Sequence, residues 1–212
     1  LSLYNQIYRE YYTYRYDSAM VYANRGLQLA EQLHDDYFIN LNKINRAAVL
    51  STGGFYSQAE DLLLSLKSED ISPKLMQYYY YTLTWVYNYW GAFCERSEFK
   101  EEMQDKKRLY LAKTLEYVGN KHSALYYYLS GELEYLLHRT DKKVLGWYQK
   151  ALAASPIDSR VHASAAYCIA RYYQDNEQMD IYEKYLVKAA ISDQICPLKE
   201  NLALQELSTY LY

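Results

Sequence analysis

Histidine and cysteine are the residue types of this chain best suited to nucleophilic or metal chemistry, and their spacing supports neither. The histidines show no ligand-like spacing and the cysteines include no CxxC pair, so neither a zinc site nor a disulfide framework is predicted. A Cys/His nucleophile is conceivable on the apolar helical stretch that holds the last histidine and the middle cysteine, but a packed helix interior is the favoured interpretation. The residues concerned are His34, His122, His138, His162, Cys94, Cys168 and Cys196.

Paired carboxylates are the other arrangement that can support catalysis, as general acid and general base. Glu132 and Glu134 form such a pair, but they stand on a stretch that we interpret as a solvated face. The sequence contains no GxGxxG, GxxxxGK[ST], HExxH or GxSxG motif. We therefore expect a protein that is not an enzyme and that uses no cofactor or metal ion.

Tyrosine carries the strongest signal, with 29 copies in 212 residues. One row of aromatic residues runs from Tyr78 to Trp90, and a second covers Tyr126 to Tyr128. Tyr offers a rigid contact surface plus a hydroxyl, which suits recognition of a peptide or a carbohydrate. The alternative is that these rings fill the core between helices. The candidate groove-binding residues are Tyr78, Tyr81, Trp85, Tyr89, Tyr126 and Tyr127.

The elements that position these rings are predicted from stretches such as Lys143–Pro156, KVLGWYQKALAASP. Val144, Tyr148 and Ala151 follow an i, i+4, i+7 spacing, which places them on one helical face. The proline ends the helix because it has no N–H and its ring clashes with the preceding turn. This is the pattern of the second helix in a tetratricopeptide-like hairpin.

The pattern recurs along the chain and predicts an all-α fold of about five helical hairpins plus a terminal helix that starts near Pro197. Gly and Pro are scarce, at 7 and 3 residues, which favours long helices. Ser57 and Glu60 are predicted to form a capping box at the start of one helix. Stacked hairpins form a right-handed superhelix whose concave face is lined by first helices. We expect one domain over 1–212, excised from a longer chain.

Charge and hydropathy indicate whether this chain could bind a nucleic acid or span a membrane. Lys and Arg total 23 against 26 Asp and Glu, a net charge of −3, and no basic stripe predicts a nucleic-acid surface. Leu75–Cys94 carries no formal charge over the length of a membrane span. Because Tyr dominates it, and Tyr belongs at a bilayer interface, we interpret it as a helix buried on most sides.

Three stretches carry a family resemblance: LYNQIYREYYTYRYDSAMVYANRGLQLAEQL from Leu3, AAVLSTGGFYSQAEDLLLSL from Ala47, and YLVKAAISDQICPLKENLALQELSTYLY from Tyr185. They resemble the membrane-anchored helical-repeat regulators of Bacteroidetes. The resemblance implies a periplasmic tetratricopeptide-like sensor, preceded by a signal peptide. It also implies a following transmembrane helix, coiled coil and cytoplasmic domain with a regulatory or DNA-binding function.

These observations lead to two expectations about function. The first is a non-catalytic binding and sensing module whose groove takes a peptide, a glycan fragment or a partner protein. It would be periplasmic, or alternatively cytoplasmic, and would meet a membrane only through a C-terminal part outside this sequence. The second is a structural scaffold or dimerisation domain without a small ligand, because the apolar face of the last helix needs a cover.

Overall fold

The structure, a computed structural model, describes residues 1–12, 14–196 and 202–211, and its regular elements there are all helical. Ten α-helices form five consecutive hairpins, and one further α-helix follows them. The α-helices are α1 (Ser2–Tyr11), α2 (Tyr16–Gln32), α3 (Asp36–Thr52), α4 (Tyr56–Leu64), α5 (Pro73–Phe93), α6 (Ser97–Tyr117), α7 (Ala124–Leu137), α8 (Lys142–Ala154), α9 (Arg160–Asp175), α10 (Met179–Ile195) and α11 (Leu202–Leu211). The all-α helical-repeat fold is thus confirmed. The predicted start at Pro197 lies outside the described residues.

Helix α8 follows the predicted spacing. Val144, Tyr148 and Ala151 are its buried residues. The carboxylate of Asp141 caps the first turn by accepting the Lys143 N–H at 2.8 Å. At the other end Ser155 is extended, with φ −110° and ψ 140°. This is the conformation that a following proline imposes on its neighbour, so the helix ends before Pro156.

The chain divides into two compact units, Leu1–Tyr117 and Val118–Tyr212. The first contains α1 to α6 and the second α7 to α11. The expectation of a single domain over 1–212 stays a prediction.

The main core of the first unit is built around α5. Leu83 and Val86 are fully buried, and they pack with residues of α3 and α4 such as Ile44 and Leu63. Adjacent residues such as Leu83 and Thr84 are both buried, so burial on α5 is not confined to a narrow stripe. A smaller cluster, which includes Tyr8 and Val49, joins α1 and α2 to α3.

The second unit has its own core. One hairpin places Tyr148 of α8 so close to α7 that a Cβ added to Gly131 would lie 2.6 Å from the ring. A second cluster joins α9, α10 and α11 through Ala170, Leu186 and Ala203. Each unit therefore has its own buried apolar core, which holds its surface side chains in place.

The predicted capping box on α4 is wrong. The helix begins at Tyr56, and its N-cap residue Phe55 makes no side-chain cap hydrogen bond. Glu60 instead accepts the hydroxyl of Tyr87 at 2.5 Å and pairs with Lys106 at 3.3 Å. A buried tyrosine hydroxyl needs an acceptor, so Glu60 accepts from Tyr87 and does not cap its own helix.

Candidate functional site

Three aromatic residues form a ladder along one face of α5. Tyr81, Trp85 and Tyr89 are spaced four residues apart, with ring centroids 5.9 Å apart in the first pair and 5.8 Å in the second. At about 100° per residue, Tyr81 and Trp85 lie about 160° around the helix from the fully buried Leu83. All three ladder residues are half-buried. The α5 ladder (Tyr81, Trp85 and Tyr89) is thus a partly exposed aromatic surface on a helix anchored from its other side.

Tyr78 begins the same helix face but has a different role. Its hydroxyl donates to Asn45 Oδ1 at 3.0 Å, and Asn45 Nδ2 donates to Asn5 Oδ1 at 3.1 Å. The hydroxyl of Tyr8 donates to the Asn45 carbonyl at 3.3 Å and lies 3.5 Å from the Tyr78 hydroxyl. Burial raises the pKa of both tyrosines. This network joins α1, α3 and α5, the first helices of three hairpins.

Tyr126 and Tyr127 belong to the second unit, where they pack with Trp147 of α8. The Trp147 ring centroid lies 6.5 Å from that of Tyr126 and 6.0 Å from that of Tyr127. The Lys150 ammonium lies 4.8 Å from the Trp147 centroid, and the Lys121 ammonium lies 5.2 Å from the Tyr126 centroid. We call Tyr126, Tyr127 and Trp147, with Lys121 and Lys150, the α7–α8 cluster.

The six predicted site residues therefore fall in two places. Tyr78, Tyr81, Trp85 and Tyr89 share α5 in the first unit, whereas the other two belong to the α7–α8 cluster in the second. That both groups face one groove stays a prediction. Trp147, the partner of the second pair, was not predicted from the sequence. The available signal was the predicted hairpin, because it packs α7 against α8, the helix that holds Trp147.

The residues considered for catalysis are engaged in packing. His162 is buried, and its Nδ1 lies 3.0 Å from Ser192 Oγ. Ser192 donates its one hydroxyl hydrogen to the Ile157 carbonyl at 2.5 Å, so it accepts from His162 Nδ1–H. Burial, followed by the charge of Lys188, lowers the pKa of His162. The structure places His162 in a packed interior, which is the interpretation that the sequence favoured.

The predicted solvated face at Glu132 is wrong. Glu132 is half-buried, and its Oε1 accepts the Tyr148 hydroxyl at 2.9 Å and the Cys168 thiol at 3.4 Å. Burial and then the Glu132 charge raise the pKa of Tyr148 well above its ordinary value. Cys168 thus uses Glu132 as an acceptor and His162 uses Ser192, so these contacts do not assemble a Cys/His pair.

A metal site and a membrane-spanning helix are two further possibilities for the described part of the chain. No group of three or more His, Cys, Asp or Glu side chains there has an arrangement that could hold a metal ion. No helix in the same residues has both the length and the apolar character of a membrane span.

Comparison with known proteins identifies a family. None of the curated proteins matches the chain. The family described as the SusR N-terminal TPR domain matches residues 1–212, the whole of the sequence. Five helical hairpins followed by a further helix agree with a tetratricopeptide-repeat domain. The chain belongs to the family of the SusR N-terminal TPR domain.

Proposed function

We propose that this domain is the binding and sensing part of a membrane-anchored regulatory protein, and that its ligand is a peptide, a glycan fragment or a partner protein. Membership of a tetratricopeptide family supports a protein-interaction or sensing module, because such repeats generally recognise partners and do not catalyse reactions. The resemblance to Bacteroidetes regulators supports a periplasmic location. No cofactor and no nucleic acid take part in the proposed function.

The observation that carries this proposal is the α5 ladder. Rings that only filled a core would be fully enclosed, as Tyr87 is at 2% exposure. Tyr81, Trp85 and Tyr89 are instead half-buried and continuous over two helical turns. An aromatic row on a rigid helix presents its contact area at a small cost in conformational entropy.

A thermal-shift screen of the purified domain against short peptides and glycan fragments tests the proposal. A ligand that binds only the folded state stabilises it by about 2.7 kcal/mol at about a hundred times its Kd. We expect a hit whose shift is lost in Tyr81→Ala and Trp85→Ala. Tyr37→Ala is the matched control, since Tyr37 is an exposed aromatic residue of α3 outside the ladder. A hit with an equal shift in all variants would place the ligand elsewhere.

A dimerisation domain is the second candidate, and one specific surface favours it. Val187, Ile191 and Ile195 repeat every four residues along α10 and are 36%, 55% and 49% exposed. A row of exposed aliphatic side chains is a typical feature of an interface. The occupant would be the same face of a second copy, as in a two-fold dimer.

Sedimentation of the wild-type domain and of Ile191→Asp separates the two candidates. A dimerisation domain should sediment as a dimer that the aspartate converts to a monomer, with Asp180→Asn on the same helix as a control. A wild-type monomer at high protein concentration would contradict the dimer.

A further inference from the structure

The α7–α8 cluster combines aromatic rings with lysine side chains in a way that the proposed function does not use. Lys150 Nζ lies 4.8 Å from the ring centroid of Trp147 and 6.0 Å from that of Tyr127. Lys121 Nζ lies 5.2 Å from the Tyr126 centroid. Each of the three rings thus has an ammonium over one face, so positive charge and apolar surface coincide.

Helix α8, which supplies Trp147 and Lys150 to the cluster, is basic although the whole chain has a negative net charge. Helix α8 contains Lys142, Lys143 and Lys150 and no acidic residue, whereas the chain has a net charge of −3. Among the described residues no carboxylate forms an ion pair with Lys150. The first acidic residue along α7 is Glu132, which accepts from Tyr148 and Cys168. Lys150 therefore has its positive charge available to an outside anion.

We propose that the α7–α8 cluster binds an acidic peptide segment, one carboxylate of which pairs with Lys150 while its apolar side chains pack on the aromatic rings. An exposed ammonium is held only weakly over an aromatic ring. A carboxylate can therefore draw it into an ion pair while the lysine stem stays on the ring.

The ring geometry favours a peptide over a sugar. Tyr126 meets Trp147 edge to face at 83°, and Tyr127 is tilted to Trp147 by 30°. Such a surface offers ring edges and tilted faces, and it lacks the single flat platform that a sugar chain would use.

This inference rests on the proposed function only in treating the domain as a binding module. The α5 ladder belongs to the first unit and the cluster to the second. Failure of binding at the α5 ladder can be distinguished from failure at the α7–α8 cluster by tryptophan fluorescence. Trp85 and Trp90 lie on α5, whereas Trp147 is the third and last tryptophan of the chain. Loss of binding at one surface can therefore be observed without reference to the other.

Calorimetric titration of the whole domain tests the inference with a defined probe. The probe is a capped six-residue peptide of alternating Glu and Phe, and its neutral counterpart has Gln in place of Glu. We expect the acidic peptide to bind and the neutral one to bind up to about fivefold more weakly, the effect of one exposed ion pair. Raising the ionic strength from about 0.01 M to about 0.15 M should weaken binding of the acidic peptide, since the screening length falls from about 30 Å to about 8 Å.

Charge variants locate the site. Lys150→Gln should weaken binding by up to about fivefold, the effect of about 1 kcal/mol for one exposed ion pair. Lys113→Gln is the matched control, because Lys113 also lies over two rings, Tyr80 and Tyr110, but in the first unit. The control should bind as the wild type does.

Three results would overturn the inference. One is equal binding of the acidic and neutral peptides, and another is equal loss in the Lys113 and Lys150 variants. The third is binding of oligogalacturonate, an acidic sugar chain, with no binding of the acidic peptide. A fluorescence titration with Trp85→Phe and Trp90→Phe, where Trp147 alone reports, gives an independent measurement. An unchanged Trp147 emission on saturation would also contradict the site.

Discussion

A single buried histidine gives this domain a defined response to acid. His162 lies at the start of α9 and is 6% exposed, and the hydroxyl of Ser192 accepts its Nδ1–H. Burial and then Lys188 lower its pKa in the folded state. Because the unfolded chain has the ordinary pKa of about 6.5, the unfolded state binds protons first as the pH falls. Acid therefore favours unfolding.

We predict that the free energy of unfolding is highest above pH about 6.5 and declines as the pH falls through the lowered folded-state pKa of His162. Urea unfolding at pH 7.5 and 5.5 measures the decline. In His162→Gln this part of the pH dependence should disappear. His138→Gln is the control, since His138 is an exposed histidine at the end of α7. An unchanged pH profile in the His162 variant would contradict the argument.

Residues whose environment is local were predictable, and those with distant partners were not. Val144, Tyr148 and Ala151 are buried as their helical spacing predicts. Glu132 and Glu60 were misjudged because each accepts a tyrosine hydroxyl from another helix. Sequence spacing shows which residues share a helix face, but it does not show which polar group a packed neighbour will bring.

At the scale of elements, the α7–α8 hairpin depends on one close approach. A Cβ built on Gly131 would lie 2.6 Å from Cδ1 and Cε1 of Tyr148, a ring that is 1% exposed. In the same hairpin a Cβ on Gly146 would meet nothing within 4 Å. Both glycines lie within helices. Alanine variants at the two positions therefore distinguish the effect of packing from the effect of helix propensity.

We predict opposite signs for alanine at these positions. Gly131→Ala should destabilise the domain by about 1–3 kcal/mol, the typical cost of overpacking, even after the gain in helix propensity. Gly146→Ala should stabilise it by about 0.8–1 kcal/mol, since Ala is the better helix former. Chemical denaturation of both variants is the measurement. Equal effects at the two sites would show that the ring of Tyr148 can move aside.

The last helix, α11, is held by a polar anchor as well as by apolar packing. Both carboxylate oxygens of Glu206 accept tyrosine hydroxyls, one from Tyr167 and one from Tyr182, the latter at 2.8 Å. Hydrogen bonding to Glu206 also contributes, after burial, to raising the pKa of Tyr167 to about 12. Leu202 and Leu204 of the same helix remain 50% and 43% exposed. The expectation that this helix has an uncovered apolar face is consistent with these values.

We predict that Glu206→Gln loosens α11 selectively. A hydrogen bond to a charged group contributes about 1.5–3 kcal/mol, so amide exchange in α11 should accelerate while α7 and α8 keep their protection. Hydrogen exchange read by mass spectrometry measures this. Glu183→Gln on α10 is the control and should leave α11 unchanged. Uniform acceleration across the second unit would contradict a local anchor.

At the scale of the whole molecule, the number of hairpins was predictable from the sequence, but the division of the chain into two compact units was not. Helical periodicity repeats in every hairpin, so five hairpins and a further helix follow from the sequence. Of the six candidate residues, four lie on α5 in the first unit and two in the α7–α8 cluster of the second, and that they face one groove stays a prediction. Tyr78, one of the four, is hydrogen-bonded to Asn45.

We propose above all that the α5 ladder is a ligand-binding surface of a non-catalytic module. The most direct test is the affinity of a ligand found by the thermal-shift screen, measured by calorimetry for the wild type, for Tyr81→Ala with Trp85→Ala, and for Tyr37→Ala. Because an aromatic residue at a binding hot spot contributes about 2 kcal/mol or more to binding, we predict a loss of at least tenfold in the double variant and none in the control. An unchanged Kd in the double variant, with its helical content intact, would contradict the claim.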